Sequence, residues 1–329
     1  MIRYTRSVAL VVISIFLGAC GTLSVPKADA AKVLVSIPAS NTVYGIPGLG
    51  GGVIRPLIVG SNPTAMTISP NGLELYVVVN GGTQLQIVNL FTRKALAPLQ
   101  VGPGAVSVAE APNNSAVYVA NSAANSVTVV PLLGSPRVLG SVKVGIDPVQ
   151  VVVAPNSMMA YALNHGSGTI TQINLITEKA VNTYDVGGHP SSIALSSDGA
   201  FALVAHPTTG TVSVTNLLSG QAPADLTVGP DPTSIAVRHG TAYVTVAGLN
   251  EVVPIDVASG KVGKAIQLPG VPNSIVTIPT GNKAFVTLPS MDAVAELSLS
   301  NGSGTVLKVI KVPGTPQGIA SSISNSTIL

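Results

Sequence analysis

Apolar residues in this chain come in short runs, not at helical spacing. Val106 to Ala111 is one run, Pro112-Asn113-Asn114-Ser115 breaks it, and Ala116 to Ala120 is the next. Asn121 to Asn125 is polar, Ser126 to Val130 is a third run, and after Leu132-Leu133-Gly134-Ser135-Pro136 comes a fourth, Val138 to Val144. Runs rich in Val and Ile suit a pleated backbone, while Gly, Pro and Asn between them suit turns, so the pattern predicts four consecutive strands. The fourth run leads into Val-Gly-x-x-Pro. This motif stands at Val59 to Pro63, Val144 to Pro148, Val186 to Pro190 and Val228 to Pro232, with a copy ending in Ala at Val101 to Ala105. Looser copies are Leu268 to Pro272 and Val312 to Pro316, giving intervals of 42, 43, 42, 42, 40 and 44 residues. A repeat of about forty residues carrying four short strands is one blade of a β-propeller.

The turn between first and second strands recurs with the same period. It reads Ser69-Pro70-Asn71-Gly72, Ala154-Pro155-Asn156-Ser157, Ser196-Ser197-Asp198-Gly199 and Ile278-Pro279-Thr280-Gly281. Asn-Gly and Asp-Gly there are expected to supply the positive φ of a tight hairpin. Six copies are complete, whereas the last start, at Val312, leaves room only for a first strand over Gln317 to Ile323. The missing strands lie at the other end of the chain. Val33-Leu34-Val35-Ser36-Ile37 followed by Asn41-Thr42-Val43-Tyr44 aligns without a gap on Val117 to Asn121 followed by Asn125 to Thr128, and Val53 to Val59 supplies a fourth strand. The expectation is an all-β, seven-bladed propeller whose closing blade is shared between residues 33–59 and 312–323, which leaves no inner edge unpaired.

The second strand reads Tyr76-Val77-Val78-Val79-Asn80, then Tyr118-Val119-Ala120-Asn121 and Tyr161-Ala162-Leu163-Asn164. With Asn125-Ser126-Val127-Thr128-Val129 and the turn Asp256-Val257-Ala258-Ser259-Gly260-Lys261, the chain resembles the YVTN-repeat, surface-layer-like propellers of exported proteins over residues 33 to about 323. Ala202 to His206 and Phe285 to Pro289 depart from the pattern by lacking the Tyr and Asn. Tyr76, Tyr118, Tyr161 and Tyr243 recur at one blade position and are expected to pack in the core.

The N-terminus is read as a processing segment. Arg3 and Arg6 precede an apolar run from Val8 to Leu17, too short to span a bilayer. Leu17-Gly18-Ala19-Cys20 resembles the lipobox of bacterial lipoproteins, and Cys20 is the only cysteine. The expected organisation is therefore a signal peptide over 1–19, a lipidated Cys20 with a tether over 20–32, and one propeller domain over 33–329. The partner implied is a membrane, reached through the N-terminal lipid, and Gly21 in place of an Asp favours the outer membrane if the source is Gram-negative. Without Arg3 and Arg6 the chain carries 14 Lys and Arg against 13 Asp and Glu, so a nucleic-acid partner loses its electrostatic argument.

Candidate chemistry is sparse. In a propeller the loops between blades and the loops from second to third strand share one face around the channel. Asp147, His189 and Asp231 occupy one position of three consecutive Val-Gly-x-x-Pro loops, and His165 and His206 are expected just past the second strands of the third and fourth blades. Imidazole and carboxylate converging there could hold a divalent metal or supply an acid and a base. Asp before Pro also forms turns without any ligand, and that is the favoured account of Asp147 and Asp231. No other cofactor is expected, since there is no CxxCH, HExxH, phosphate loop or nucleophile elbow, and Gly50-Gly51-Gly52 reads as slack in a turn. With no Trp and few Phe, stacking platforms are poorly supplied. Two functions follow as expectations: a non-enzymatic, lipid-anchored envelope protein presenting loops to a protein or glycan partner, or a lactonase-like hydrolase or lyase. The second needs a carboxylate-rich cage at the channel mouth, for which the loops offer only Asp147 and Asp231.

Overall fold

The computed structural model describes residues 31–47, 54–220, 224–278, 281–300 and 302–321. Residues 1–30, on which the signal-peptide and Cys20 expectations rest, and Gly50-Gly51-Gly52 lie outside the described residues. Seven antiparallel sheets form, each built around four strands in the order first, second, third, fourth. The first blade has Met66–Ile68, Glu74–Val79, Gln84–Asn89 and Lys94–Ala95, with Leu99–Gln100 also pairing on the third strand. The second has Ala105–Glu110, Ala116–Asn121, Ser126–Pro131 and Gly140–Lys143. The third runs over Pro148–Val153, Met159–Asn164, Thr169–Asn174 and Lys179–Asp185, and the fourth over Ser192–Leu195, Phe201–His206, Thr211–Asn216 and Ala224–Thr227. Pro232–Arg238, Thr241–Val246, Glu251–Asp256 and Ile266–Gln267 make the fifth, and Ile275–Thr277, Lys283–Leu288, Ala293–Ser300 and Ser303–Lys311 the sixth.

The closing blade is composite. Its first strand is Ile319–Ser321, and Ala31–Ile37, Thr42–Pro47 and Ile54–Ile58 complete it. Val33, Leu34 and Val35 pair antiparallel with Ser321, Ala320 and Ile319. The ring is a seven-bladed β-propeller, closed by the two ends of the chain.

Second strands are buried along almost their whole length, not on alternate residues. The reason is that each blade is packed on both faces. Tyr76 and Val78 of the first blade meet Val117 and Val119 of the second, while Leu75 and Val77 point the other way, onto Leu34 and Val43 of the composite blade. Tyr118, Tyr161 and Tyr243 are buried like Tyr76. Side chains of this size stabilise by roughly 1.5–3 kcal/mol each when fully buried, so the ring is held by its blade-to-blade seams.

The Val-Gly pair has a packing cause. A Cβ at Gly102 would lie 2.7 Å from the amide carbon of Asn121, and one at Gly145 would lie 2.7 Å from that of Asn164. Glycine makes room for the Asn that ends the second strand. That Asn in turn staples the hairpin: Asn121 Nδ2 donates to Thr128 Oγ1 at 2.8 Å and Asn164 Nδ2 to Thr171 Oγ1 at 3.0 Å.

The first-to-second turns differ from the expectation in one detail. Gly72 and Gly199 have φ of 75° and 73°, but Asn71 and Asp198 do not take positive φ. Their side chains instead accept the N–H groups of Leu73 and Ala200, at 2.8 and 3.0 Å. One left-handed residue and one side-chain acceptor do the work that two left-handed residues do in the tightest hairpins.

Inner strands are joined around the channel by a repeated contact. Ser107 Oγ accepts the N–H of Val151 (3.2 Å), Gln150 Oε1 that of Ile193 (2.8 Å), Ser192 Oγ that of Ile235 (3.2 Å) and Ser234 Oγ that of Ile275 (3.4 Å). An inner strand is a sheet edge with free donors. Here the neighbouring blade's side chain satisfies one of them.

Candidate functional site

Two faces result from this topology. The loop face carries the inter-blade loops and the second-to-third-strand loops. The turn face carries the first-to-second and third-to-fourth turns. Through the middle runs a channel of about 700 Å³.

Among the described residues the channel wall is uncharged: its polar lining includes Ser107, Gln150, Ser192, Thr233, Ser234 and Ser274, interleaved with Val, Ile and Ala, and no described Asp, Glu, His, Lys or Arg lines it. Hydroxyls and amides there can hydrogen-bond a neutral ligand. None can act as a general acid or base near neutral pH.

On the loop face the backbone is braced blade by blade. The carbonyl of Gly104 accepts the N–H of Ser122 (2.7 Å), Asp147 that of His165 (2.9 Å) and Asp231 that of Ala247 (2.9 Å). Asp147 and Asp231 hold φ of 53° and 57°, a left-handed conformation that Asp and Asn tolerate better than most residues. Asp147 also donates its N–H to Asn125 Oδ1 at 2.8 Å. Both aspartates thus have a turn-forming place in the loop.

His189 shares their sequence position but not their conformation. The residue after the fourth blade's second strand is Pro207, which has no N–H to brace the loop, and the left-handed residues there are Gly187 and Gly188. His189 is exposed and leans back onto the third blade. Its ring centroid lies 5.0 Å from that of His165, with the planes 35° apart. His165 Nδ1 sits 3.0 Å from the carbonyl oxygen of Pro190, and His189 Nδ1 sits 3.3 Å from that of His165. A carbonyl only accepts, so each Nδ1 is the donor, which makes Nε2 the ring nitrogen that could take a ligand.

His206 is elsewhere. It is the last residue of its strand, at the place of Asn121 and Asn164, and it is buried with Nε2 2.8 Å from Ser213 Oγ. The ring therefore replaces the Asn staple. Burial holds its pKa below the ordinary histidine value, with Asp225 pulling weakly the other way. Of the five candidates, then, the structure pairs His165 with His189, builds Asp147 and Asp231 into turns, and puts His206 inside a blade. Among the described residues no group of three or more His, Cys, Asp or Glu is placed to hold a metal.

A second cavity, of about 310 Å³, opens between the first and second blades on the turn face. Glu74, Tyr76, Glu110 and Asn114 line it with Ile87 and Leu132. Glu110 Oε2 and Asn114 Oδ1 are occluded there without a hydrogen-bond partner. Burial, and then the charge of Glu74, push the Glu110 carboxyl up to about 8, and the same burial raises the Tyr76 phenol. The blade repeat gave no sign of this cavity, because Glu110 and Glu74 come from different copies and only the seam between blades brings them together.

No protein-family model matches this chain, and no curated protein matches it. Solved structures do. A hydrazine synthase chain of Kuenenia stuttgartiensis superposes with a TM-score of 0.70 at 18% identity, over 84% of this chain and 93% of its own. A candidate 6-phosphogluconolactonase of Bacteroides fragilis gives 0.71 at 18%, over 87% and 96%. Virginiamycin B lyase of Staphylococcus aureus gives 0.65 at 14%, over 79% and 89%. At such identities the likeness is one of fold, and propellers carry unrelated activities. The class that fold and comparisons define is the seven-bladed β-propeller.

Proposed function

We propose that this protein is a non-enzymatic, lipid-anchored propeller of the cell envelope, related to the YVTN-repeat proteins, which presents its loop face to a protein or glycan partner. The observation that supports this reading is the uncharged channel wall. A hydrolase or lyase working within that channel needs an ionisable group facing the substrate, and the described side chains of its wall are hydroxyls, amides and hydrocarbons. Neutral hydrogen-bonding walls and braced, exposed loops suit recognition better than proton transfer. Cys20 is the attachment point in this account, and membrane fractionation of Cys20→Ser reads it directly. Release of the variant is expected, and retention after a high-salt wash would overturn the anchor.

The second reading is a metal-dependent or acid–base site of the lactonase or lyase kind, with Asp147, His165, His189 and Asp231 as its rim and His206, buried inside its blade, left out of it. What favours it is the His165–His189 pair, whose two Nε2 lone pairs suit a borderline divalent cation such as zinc. One experiment separates the two. Photo-crosslinkers placed at Ile146 and Leu249 on the loop face should capture a partner in intact cells, while lactone turnover, measured with and without added zinc, should stay at background. Zinc-dependent turnover abolished by His189→Ala would reverse the choice.

A further inference from the structure

The third-to-fourth turns have a second repeating feature. Each begins with two consecutive apolar residues: Leu90-Phe91, Leu132-Leu133, Leu175-Ile176 and Leu217-Leu218 in the first four blades. The first of each pair turns inward and packs. The second faces solvent, with Phe91 60%, Leu133 80%, Ile176 76% and Leu218 83% exposed. Single exposed hydrophobics are ordinary, but the same exposed position in four adjacent blades makes one band along the rim of the turn face. The backbone that presents them is fixed, since Asn174 Oδ1 accepts the N–H groups of Ile176 and Thr177 at 3.0 and 2.9 Å, and Asn216 Oδ1 those of Leu218 and Ser219 at 2.9 and 3.0 Å. The fifth blade has Ala258 there, and the sixth has a longer polar hairpin around Ser300 and Ser303.

Three observations select the occupant. Basic residues flank the tips, with Arg93 and Lys94 after Phe91, Arg137 after Leu133 and Lys179 after Ile176, against Glu178 alone among the acids of those turns. The loop face has the opposite balance: Asp147, Asp185, Asp231, Glu251 and Asp292 stand at its strand ends, with Lys143 and Lys311 as its only described lysines. The chain also leaves the ring on the turn face. Ala31 pairs with Pro47, at the end of the third strand where the third-to-fourth connection begins. Residues 20 to 31 span at most about 40 Å at roughly 3.4 Å per residue.

We propose that the turn face rests on an anionic lipid surface, with Phe91, Leu133, Ile176 and Leu218 entering the interface and the flanking Lys94, Arg137 and Lys179 meeting the headgroups, while Arg93 donates to the carbonyls of Arg55 and Pro56. Apolar tips with cations beside them suit the boundary between headgroup and acyl chain. The loop face then points away from the membrane. This deepens the anchored reading above and shares its membrane, but it does not depend on acylation of Cys20.

The test uses the full chain carrying Cys20→Ser, so that a single introduced cysteine takes a polarity-sensitive nitrobenzoxadiazole label. Leu218→Cys and Ile176→Cys report the turn face, and Ile146→Cys the loop face. With vesicles of phosphatidylglycerol and phosphatidylethanolamine, both turn-face labels should shift to the blue and brighten severalfold, and the Ile146→Cys label should not. The response should weaken in pure phosphatidylcholine and at high salt. No vesicle-dependent change at Leu218→Cys and Ile176→Cys, whether or not the chain floats with the vesicles, overturns the proposal, as does an equal change on both faces. A blue shift that grows with protein concentration in the absence of lipid makes the band a contact between copies instead, and also overturns it. Failure of the anchor is separately visible, because an unacylated wild type leaves the label response unchanged.

Discussion

Gly318 donates its N–H to the hydroxyl of Ser36 at 2.8 Å, although 282 residues of chain separate them. Ser36 is fully buried, and its hydroxyl also donates to the carbonyl of Thr64 at 3.1 Å. One side chain thus joins the C-terminal strand, the N-terminal strand and the first blade. Glycine is required opposite it, because a Cβ at Gly318 would lie 2.0 Å from the carbonyl oxygen of Thr64. Gly318→Ala is expected to shift backbone at the closure and to cost about 3 kcal/mol or more, from overpacking plus the loss of a buried hydrogen bond. Gly140→Ala is the control, since a Cβ there meets nothing within 4 Å. Calorimetric unfolding in which both variants melt alike would show that the closure is not where stability resides.

Deleting residues 312–329 takes away the whole inner strand of the composite blade and with it the buried side chains of Val312 and Ala320. The exposed edge of Val33 to Val35 is then open to another chain. Soluble, monomeric material with a wild-type melting temperature after this deletion would contradict the closure.

The stitch from Ser192 to Ile235 is a smaller version of the same device. Ser192→Ala leaves the amide of Ile235 without that acceptor, at a cost of about 1–3 kcal/mol. A lower denaturant midpoint at unchanged m is expected, because the surface exposed on unfolding stays the same. An unchanged midpoint would mean that water replaces the hydroxyl.

The period of Val-Gly-x-x-Pro was enough to place every blade and the shared closing blade, and at Gly60, Gly102, Gly145 and Gly229 the motif reports a packing requirement, since a Cβ there would press on the last residue of a second strand, whereas at Gly187 it would meet open space. The period was not enough to place side chains on the loop face. Asp147 and His189 align in sequence, yet Pro207 removes the N–H that would have given them one backbone conformation. The inner-strand stitches were hidden for another reason. Ser107, Ser192 and Ser234 recur at one blade position, with Gln150 in the same role, but a lone Ser in a strand carries no signal that its hydroxyl reaches the next blade's amide. His206 read as a rim residue because its strand lacks the family's Asn, whereas the ring fills that Asn's place.

Glu110 makes stability fall as pH rises. Its carboxyl is held protonated up to about 8 in the folded chain, against an ordinary value of 4.5. Between those values the folded state binds the extra proton, so stability present below about pH 4.5 is lost progressively up to pH 8. Glu110→Gln keeps the shape and removes the titration. Melting temperatures measured from pH 6 to 9 should fall for wild type and stay flatter for the variant, with the variant the more stable at pH 9. Parallel curves would exclude Glu110 as the source.

His206 acts in the opposite direction. Its pKa is lowered in the fold, chiefly by burial, so the unfolded chain takes up a proton first as pH drops, and stability present above about 6.5 declines below it. His206→Asn restores the residue that the second and third blades use, where Asn121 and Asn164 donate to Thr128 and Thr171 at the spacing that His206 keeps with Ser213. The variant should match wild type at pH 8 within about 1 kcal/mol, the usual worth of one hydrogen bond, and should exceed it at pH 5. Urea unfolding at the two pH values reads both terms. A variant that is weaker at pH 8 and no better at pH 5 would mean that the imidazole packs in a way an amide cannot reproduce, and that the acid sensitivity of the ring lies in another group.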